Sequence, residues 1–404
     1  MQKLLILIVT AVLTQSVARA TTTLEWWQFW TDPDSRPTIQ AIVDDFEKAN
    51  PDIKVNITDL TWANGQEKIV IAFASGTGPD VVELGSDWIA QFAANGQLAD
   101  ISQRVIADSG NFQGWGLATY DGKVFGRPWI LGTRVLFANE DLMRKAGYDT
   151  SFLPYNWPQL EQAAINIRHL GKDYYGWGSN TAEKHRLYKK FLPFFWSNGA
   201  QFFTDDNRYS IISSMKAIDA LKFYKKLHDS AGFVGDQRSI EDAFLDGKIG
   251  FIISGDWLLK RIEVEKRKID FKSGPIPGPK YPGKSFLGGE FLSINQASKN
   301  HDAALKFIAF VTSPENQLRF CKANRSANPS SLLAQQDPYF TGNPHLQAFI
   351  KQIKSAEHPP VDPHWVVIED ELEKAIEDAL FGSRLPAQAL RNAQTRITQA
   401  RAKQ

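Results

Sequence analysis

The stretch Phe73-Ala74-Ser75-Gly76-Thr77-Gly78-Pro79-Asp80-Val81-Val82-Glu83-Leu84 joins the end of a helix to a buried strand. Glycine and proline at positions 76–79 end a helix that carries Ile69 and Phe73, because neither residue type supports continued helical backbone. The apolar run that follows Asp80 is typical of a strand in a sheet that is covered on both faces. This stretch therefore predicts a helix followed by a strand.

The same alternation extends on both sides of this stretch. Upstream, a strand at 23–29, a helix at 39–46 and a strand at 53–57 are predicted, and a helix at 86–95 follows downstream. Three strand–helix units in a row predict an open, mostly parallel α/β sheet with helices on both faces. Later segments with clear patterns are helices at 160–170 and 215–228, strands at 249–254 and 286–294, and a helical tail from Trp365. Two α/β lobes built from interleaved segments fit this order.

The first twenty residues have the three parts of a secretory signal peptide. Lys3 gives a basic start, residues 4–13 are apolar, and Ala18-Arg19-Ala20 is a small-x-small end. An apolar run of about ten residues is too short to cross a bilayer, which needs about 20. No cysteine follows the run, so a lipid anchor there is not expected. Residues 1–20 are thus predicted to be removed, which leaves the protein free in the periplasm.

Composition narrows the class of protein. The chain has 404 residues, a length that favours two domains. Its one cysteine, Cys321, excludes an intrachain disulfide, and a net charge of +1 without a basic block argues against nucleic acid as a partner. The seven histidines are scattered, so neither a metal site nor another cofactor is expected. Twelve tryptophans and 26 phenylalanines supply more flat apolar surface than a core usually needs.

Several segments together resemble the periplasmic carbohydrate-binding proteins of ABC transporters, that is, solute-binding family 1, which includes the maltose-binding proteins. Residues 73–82 are similar to the family's SGxxPDVV element, and 122–129 and 135–147 are similar to its next two motifs. Further segments similar to the family, in the same order along the chain, are 95–98, 244–257, 288–307 and 393–398. Each segment is weakly specific alone, but their common order covers nearly the whole mature chain.

The resemblance implies two lobes, each an open α/β sheet flanked by helices, as in type II-like periplasmic binding proteins. A multi-strand hinge would join the lobes, with the ligand cleft between them. The first lobe is expected at 21–131 with 289–330, and the second at 132–288 with 331–404. The implied function is non-enzymatic: a monomer captures a sugar and delivers it to permease subunits in the inner membrane.

Sugars present an apolar C–H face and a rim of hydroxyls, so a sugar site combines aromatic rings with planar polar side chains. Trp257, just past the strand at 249–254, is the first candidate, although a core tryptophan is the alternative for this position. Asp87 is the second, with a helix N-cap as its alternative. Trp88 stands beside it where the family's maltose binders have arginine, which argues against maltodextrin as the ligand. The other candidate ligand contacts are Trp27, Gln28, Trp30, Trp62, Glu83, Ser86, Trp196, Gly289, Glu290, Arg325 and Trp365.

Two alternatives stay open. A secreted glycoside hydrolase would need a pair of carboxylates about 5–10 Å apart, and no residue pattern marks one carboxylate for a raised pKa. A different cargo in the same fold, such as a polyamine, iron or a phosphate ester like glycerol phosphate, is the second. A phosphate ester would need cations, for which Arg127 and Arg325 are the candidates. A cationic amine would suit the carboxylates Glu25, Glu83, Asp87 and Glu290.

The N-terminal pattern leads to a direct test. Protein recovered from the periplasm should begin at Thr21 when its intact mass is measured, because the small-x-small end places the cleavage after Ala20. Recovery of the full-length chain in the membrane fraction would contradict the prediction.

Overall fold

A computed structural model describes residues 21–402, apart from 63, 182, 184 and 185. The predicted signal peptide at 1–20 lies outside the described residues. Within these residues, no helix combines the length and the apolar composition that crossing a membrane requires.

The described residues form strands and helices in alternation. The strands are β1 (Thr22–Gln28), β2 (Ile53–Asp59), β3 (Val81–Gly85), β4 (Thr119–Tyr120), β5 (Lys123–Val124), β6 (Arg127–Thr133), β7 (Val135–Asn139), β8 (Tyr175–Asn180), β9 (Gly232–Gly235), β10 (Ile249–Ser254), β11 (Phe271–Gly274), β12 (Leu287–Ile294) and β13 (Asn328–Pro329). The helices are α1 (Arg36–Ala49), α2 (Gly65–Ala74), α3 (Ser86–Ala94), α4 (Ser102–Val105), α5 (Glu140–Lys145), α6 (Trp157–Arg168), α7 (Leu187–Ser197), α8 (Met215–Ala231), α9 (Gln237–Leu245), α10 (Trp257–Val264), α11 (His301–Val311), α12 (Pro314–Asn324), α13 (Pro338–Thr341), α14 (Pro344–Ile353), α15 (Trp365–Leu380) and α16 (Pro386–Arg401).

Two mixed sheets carry the fold. The first has the order β13-β6-β12-β3-β1-β2, in which β1 runs parallel to β2 and β3, and β12 runs antiparallel to β3 and β6. The second has the order β11-β7-β10-β8-β9, with β8 parallel to both β10 and β9. Helices cover each sheet, so the predicted two-lobed α/β fold is confirmed.

Periodic apolar residues explain why these elements pack as they do. The predicted helical face of α1, which includes Ile42 and Phe46, is buried against α11, where the ring of Phe46 lies 5.0 Å from that of Phe307. In β1, Trp26 is fully buried whereas Trp27 is only partly buried on the other face, as expected when neighbouring side chains alternate. Burying a large apolar side chain of this kind stabilises a fold by roughly 1.5–3 kcal/mol.

The chain passes between the sheets more than once. Arg134 alone separates β6 in the first sheet from β7 in the second, and residues 275–286 lead from β11 back to β12. β6 and β12 remain paired at Thr133 and Leu287, slightly beyond the predicted lobe limits at 131 and 289. The precise limits of the lobes at these crossings stay a prediction.

The predicted last crossing, at 330/331, stays a prediction, and the packing of the segment after it bears on this limit. Phe340 and Leu346 pack in the core of the first lobe together with Phe307, whereas Phe349 lies 6.2 Å from Phe137 in the second lobe. α14 therefore contacts the cores of both lobes, and Ile353 at its end packs again in the core of the first lobe. The sequence pattern of a single amphipathic helix does not reveal such a division.

Gly289 lies where β12 passes close to β6. A Cβ atom at this position would lie 2.4 Å from the backbone oxygen of Ile130 and 3.1 Å from Cδ2 of Leu131. No side chain fits there unless the strands move apart. The close pairing of the two hinge strands therefore requires glycine at 289.

We expect Gly289→Ala to lower the free energy of unfolding by about 1–3 kcal/mol, because the added methyl group forces a backbone shift. Gly132→Ala on the facing strand is the matched control, since a Cβ there meets nothing closer than Nη1 of Arg134 at 3.9 Å. Denaturant unfolding of both variants measures the difference. Equal losses in the two variants would contradict the steric explanation.

Candidate functional site

A cavity of about 860 Å³ lies between the two lobes. Its first-lobe wall comes from the loops after β1 and β2 and from the junction of β3 with α3, and its second-lobe wall comes from the start of α7, α10 and α15. The hinge strands form its floor. The lining residues are Trp30, Trp62, Asn64, Gln66, Glu67, Gly85, Ser86, Asp87, Trp88, Ile130, Leu131, Gly132, Arg134, Arg186, Lys189, Lys190, Gln237, Asp256, Trp257, Phe286, Gly288, Gly289, Glu290, Ser326, Trp365, Val366 and Glu369. Carboxyl ends of strands meet here, which is where open α/β sheets bind ligands.

Aromatic rings form the first-lobe wall. Trp62 is stacked on Phe29, with ring centroids 4.2 Å apart, and its side chain remains 47% exposed. Trp88 lies 5.6 Å from Trp62 at a tilt of 50°. Trp30 lines the same wall, and its Nε1 donates a hydrogen bond to Glu83. This wall offers apolar ring surface to a ligand while each ring is supported from behind.

Asp87 connects the first-lobe wall to the second. It occupies the first turn of α3, where a carboxylate is favoured by the helix dipole. Its Oδ2 accepts a hydrogen bond from the hydroxyl of Tyr188 at 3.4 Å and lies 3.7 Å from Nζ of Lys189. Both partners belong to α7 of the second lobe. Asp87 is thus a cavity carboxylate with contacts across the cleft.

Two carboxyl groups of the cavity, and a third just behind it, titrate abnormally. Burial raises the pKa of Glu290 to about 8, with further increases from the negative charges of Glu83 and Asp256. Burial also raises the pKa of Asp256 to about 7, although Arg134 opposes that change. The pKa of Glu83 rises to about 7 for the same reason, against hydrogen bonds from Phe29 and Trp30. The residue pattern gave no sign of these shifts, because burial is decided by tertiary packing.

Four cationic side chains of the cavity were missed by the sequence analysis: Arg134, Arg186, Lys189 and Lys190. Lys190 is 3% exposed and donates to the backbone oxygen of Ile253 at 2.7 Å, and burial lowers its pKa well below the usual range. A local signal did exist. Arg186, Lys189 and Lys190 lie at the start of α7, whose first turn has no acidic residue. Basic side chains are unfavourable at this positive end of the helix dipole, so three of them together mark an unusual position.

The structure brings eight of the candidate residues to the wall of this cavity. Trp257 begins α10, and its Nε1 donates to Glu241 at 2.7 Å. The eight are Trp30, Trp62, Ser86, Asp87, Trp257, Gly289, Glu290 and Trp365. That these residues contact ligand stays a prediction, now with a common location.

The other five candidates lie outside the cavity wall. Gln28 is fully buried, where it bonds Asp59 and the backbone of Trp30. Glu83 is also fully buried and supports Trp30 from behind. The remaining three are Trp27, which packs on the first-lobe core, Trp196, which packs on the second-lobe core, and Arg325. Neighbouring side chains of a strand face opposite sides of the sheet, so Trp27 and Gln28 cannot both point into the cavity. Trp196 and Arg325 lie at the ends of α7 and α12 rather than in strands.

Arg127 also lies outside the cavity wall. It is buried and bonded to Thr312 and Asp108, so it is committed to the first lobe. Arg127 and Arg325 are the candidate cations for a phosphate ester, and neither of them lines the cavity.

Arg325 instead forms part of an ion-pair network at the rim. Its guanidinium lies 2.7 Å from Asp34 of the first lobe and 3.0 Å from Glu263 at the end of α10. Lys260 of the same helix lies 3.2 Å from Asp34 and 3.4 Å from Asp32. Arg325 has φ of +62°, a left-handed conformation that favours glycine at the end of a helix. The network therefore connects α10 to the first lobe beside the cavity.

Comparisons with known proteins agree with this geometry. A family model described as bacterial extracellular solute-binding protein matches residues 32–318. A binding protein of Brucella abortus (strain 2308) is 27% identical over 370 residues, which cover 88% of each chain. The maltodextrin-binding protein MdxE of Bacillus subtilis (strain 168) is 24% identical over 366 residues, covering 86% of this chain and 83% of that one. The solved structure of the sugar-binding protein MalE from Xanthomonas citri superimposes with a TM-score of 0.85 at 26% identity, covering 95% of this chain and 98% of that chain.

The raised pKa of Glu290 predicts how stability depends on pH. Between about pH 4.5 and 8 the folded protein holds a proton that the unfolded chain has released, so raising the pH across this window lowers the free energy of unfolding. Glu290→Gln should weaken that fall without abolishing it, because Glu83 and Asp256 titrate in the same direction. Denaturant unfolding from pH 5 to 9 measures the slope.

Glu315→Gln serves as the control for this experiment, because Glu315 is an exposed acid in the first turn of α12, away from the cavity. It should keep the slope of the unaltered protein. A Glu290→Gln protein with an unchanged slope would show that Glu290 does not hold the proton.

Proposed function

Because the chain belongs to the bacterial extracellular solute-binding protein family, we propose that it captures a sugar or oligosaccharide between its lobes and delivers it to the permease of an ABC importer. The observation that carries this proposal is the inter-lobe cavity, which combines the Trp62 and Trp88 rings with charged groups from both lobes. Such a combination matches the apolar face and hydroxyl rim of a sugar. A relative named as a maltodextrin-binding protein and a structural neighbour named as a sugar-binding protein support the same conclusion.

Several finer points belong to the proposal. The protein acts as a monomer in the periplasm, and its partners are the carbohydrate and the permease subunits in the inner membrane. Nucleic acid is not a partner. Capture works by closure: ligand contacts made by both lobes favour the closed state, because a ligand shifts an equilibrium only by its differential affinity for the two states.

The protein binds its ligand without turning it over. The raised pKa values of Asp256 and Glu290 are a feature that a glycosidase would share, since its general acid must hold a proton near neutral pH. Here burial accounts for both shifts, and the family relatives are named as binding proteins. A direct assay for turnover therefore belongs with the binding test.

A ligand screen should identify a carbohydrate that stabilises the protein. A ligand at one hundred times its Kd adds about 2.7 kcal/mol to the free energy of unfolding, which a thermal-shift assay detects. The screen contains maltotriose, diacetylchitobiose, digalacturonate, a polyamine and glycerol phosphate. Stabilisation by the polyamine or by glycerol phosphate alone would overturn the sugar assignment in favour of another cargo.

The bound sugar should be recovered unchanged by chromatography after prolonged incubation, and the radius of gyration from small-angle scattering should fall when the sugar saturates the protein. Products formed at catalytic rates would place the protein among hydrolases. An unchanged radius of gyration would argue against closure.

A further inference from the structure

Arg134 lies at the first crossing between the lobes and faces the cavity. Its guanidinium carbon sits 4.6 Å from the centroid of the Trp257 ring and 5.4 Å from that of Phe286. Nη1 donates to the backbone oxygen of Thr133 at 3.2 Å. Within the described part of the chain, no carboxylate lies within ion-pairing distance of this guanidinium. Among the described residues, the backbone oxygen of Thr133 is the one acceptor bonded to its five N–H donors.

The charge of Arg134 persists at neutral pH. Burial lowers its pKa to about 10, while Asp256 and Glu290 act in the opposite direction from a distance that is too long for an ion pair. Arg186 repels it. The guanidinium lines the cavity, and no described carboxylate pairs with its charge, so ligand oxygen atoms in the cavity can accept hydrogen bonds from its remaining donors.

Contacts on two sides of the Trp257 ring fix its position beneath the Arg134 guanidinium. Its Nε1 is bonded to Glu241, which also accepts hydrogen bonds from Ser254 at 2.7 Å and from Arg261 at 2.8 Å. Its ring folds back over Gly255, where an added Cβ would lie 1.9 Å from the indole. The Trp257 ring is thus held by a hydrogen bond at its Nε1 edge and by close packing on Gly255, and the Arg134 guanidinium lies over its face. This differs from the expectation that Trp257 stacks directly on a sugar.

We propose that Arg134 is a specificity-determining ligand contact, and that Trp257 is a positioning residue that acts through it. The free edge of the guanidinium binds two adjacent oxygen atoms of the ligand as a fork, a geometry that lysine cannot reproduce. Two adjacent hydroxyls of a neutral sugar or the carboxylate of a uronic acid offer this chemistry. The proposal rests on the proposed sugar-binding function and assigns the group that recognises the ligand.

The test is a double-mutant cycle on ligand affinity. Calorimetry measures Kd for three ligands: maltotriose, diacetylchitobiose and digalacturonate. The proteins compared are the unaltered chain, the single variants Arg134→Gln, Arg134→Lys, Trp257→Leu and Trp257→Phe, and the double variant Arg134→Gln/Trp257→Leu. Arg134→Gln and Arg134→Lys should each weaken binding about tenfold or more, since each loses the charged fork. Trp257→Leu should lose a similar factor, whereas Trp257→Phe, which keeps a ring beneath the guanidinium, should retain most of the affinity.

The double variant should bind about as weakly as Arg134→Gln alone, because two residues that act as one unit give non-additive losses. Losses that multiply would overturn the positioning role of Trp257, and Arg134→Lys with unchanged affinity would overturn the fork. If the unaltered protein prefers digalacturonate to the neutral sugars, the oxygens bound by Arg134 are those of a carboxylate, and the reverse preference identifies them as hydroxyls. Equal affinity for the acidic and the neutral sugars would count against recognition by Arg134. An unchanged Kd in Arg134→Gln would do the same.

A matched control is available in the second lobe. The guanidinium of Arg168 lies 5.1 Å from the ring of Tyr175 and donates to the backbone oxygens of Gly171 and Tyr174, outside the cavity wall. Arg168→Gln should leave the Kd unchanged, and thermal melting confirms that each variant is folded. If the unaltered protein binds none of the three sugars, the result counts against the proposed function and against the role of Arg134 together. If it binds a sugar but the losses from Arg134→Gln and Trp257→Leu are additive in the double variant, the result counts against the role of the two residues alone.

Discussion

The close pairing of β12 with β6 is the constraint on which the rest of the molecule depends. These antiparallel strands approach so closely at Gly289 and Ile130 that no side chain fits between them, and they end where the chain crosses to the second lobe. Arg134 follows directly from β6, and Glu290 lies in β12 itself. The paired strands thus place Arg134 and Glu290 at the floor of the cavity.

Burial of ionisable groups around the cavity floor lowers the free energy of unfolding. The carboxyl groups of Asp256 and Glu290 are protonated more readily than usual because burial disfavours their charge, and burial likewise disfavours the charge of Lys190. Arg134 retains its charge, and no described carboxylate forms an ion pair with it. Groups of this kind gain most when a ligand supplies hydrogen-bond partners, so the same burial that lowers stability prepares the cavity for binding.

Contacts across the cleft are arranged on two levels. Asp87 reaches Tyr188 and Lys189 inside the cavity, and Arg325 joins Asp34 to Glu263 at its rim. Each partly exposed ion pair of this kind contributes only about 0–1 kcal/mol. The rim network therefore connects α10 to the first lobe at little gain in free energy, and under the proposed closure the ligand would supply most of the free energy. Since α10 begins at Trp257, its placement also sets the position of the Arg134 guanidinium.

The sequence by itself determined the order of the clear strands and helices and the α/β class, because apolar periodicity and turn residues are local properties. The family followed from the resemblance of several motifs in their common order. The strand after Asp80, the helix from Met215 and the helical tail from Trp365 lie where the pattern predicts them. It also selected residues near the cleft, such as Asp87 and Trp257. Only the tertiary structure decided which side chains face the cavity: Gln28 and Glu83 turn inward, Arg325 moves to the rim, and Arg134 enters the site. The physical reason is that facing and burial depend on how distant strands pair, and α14 could be divided between two lobes only once both cores were in place.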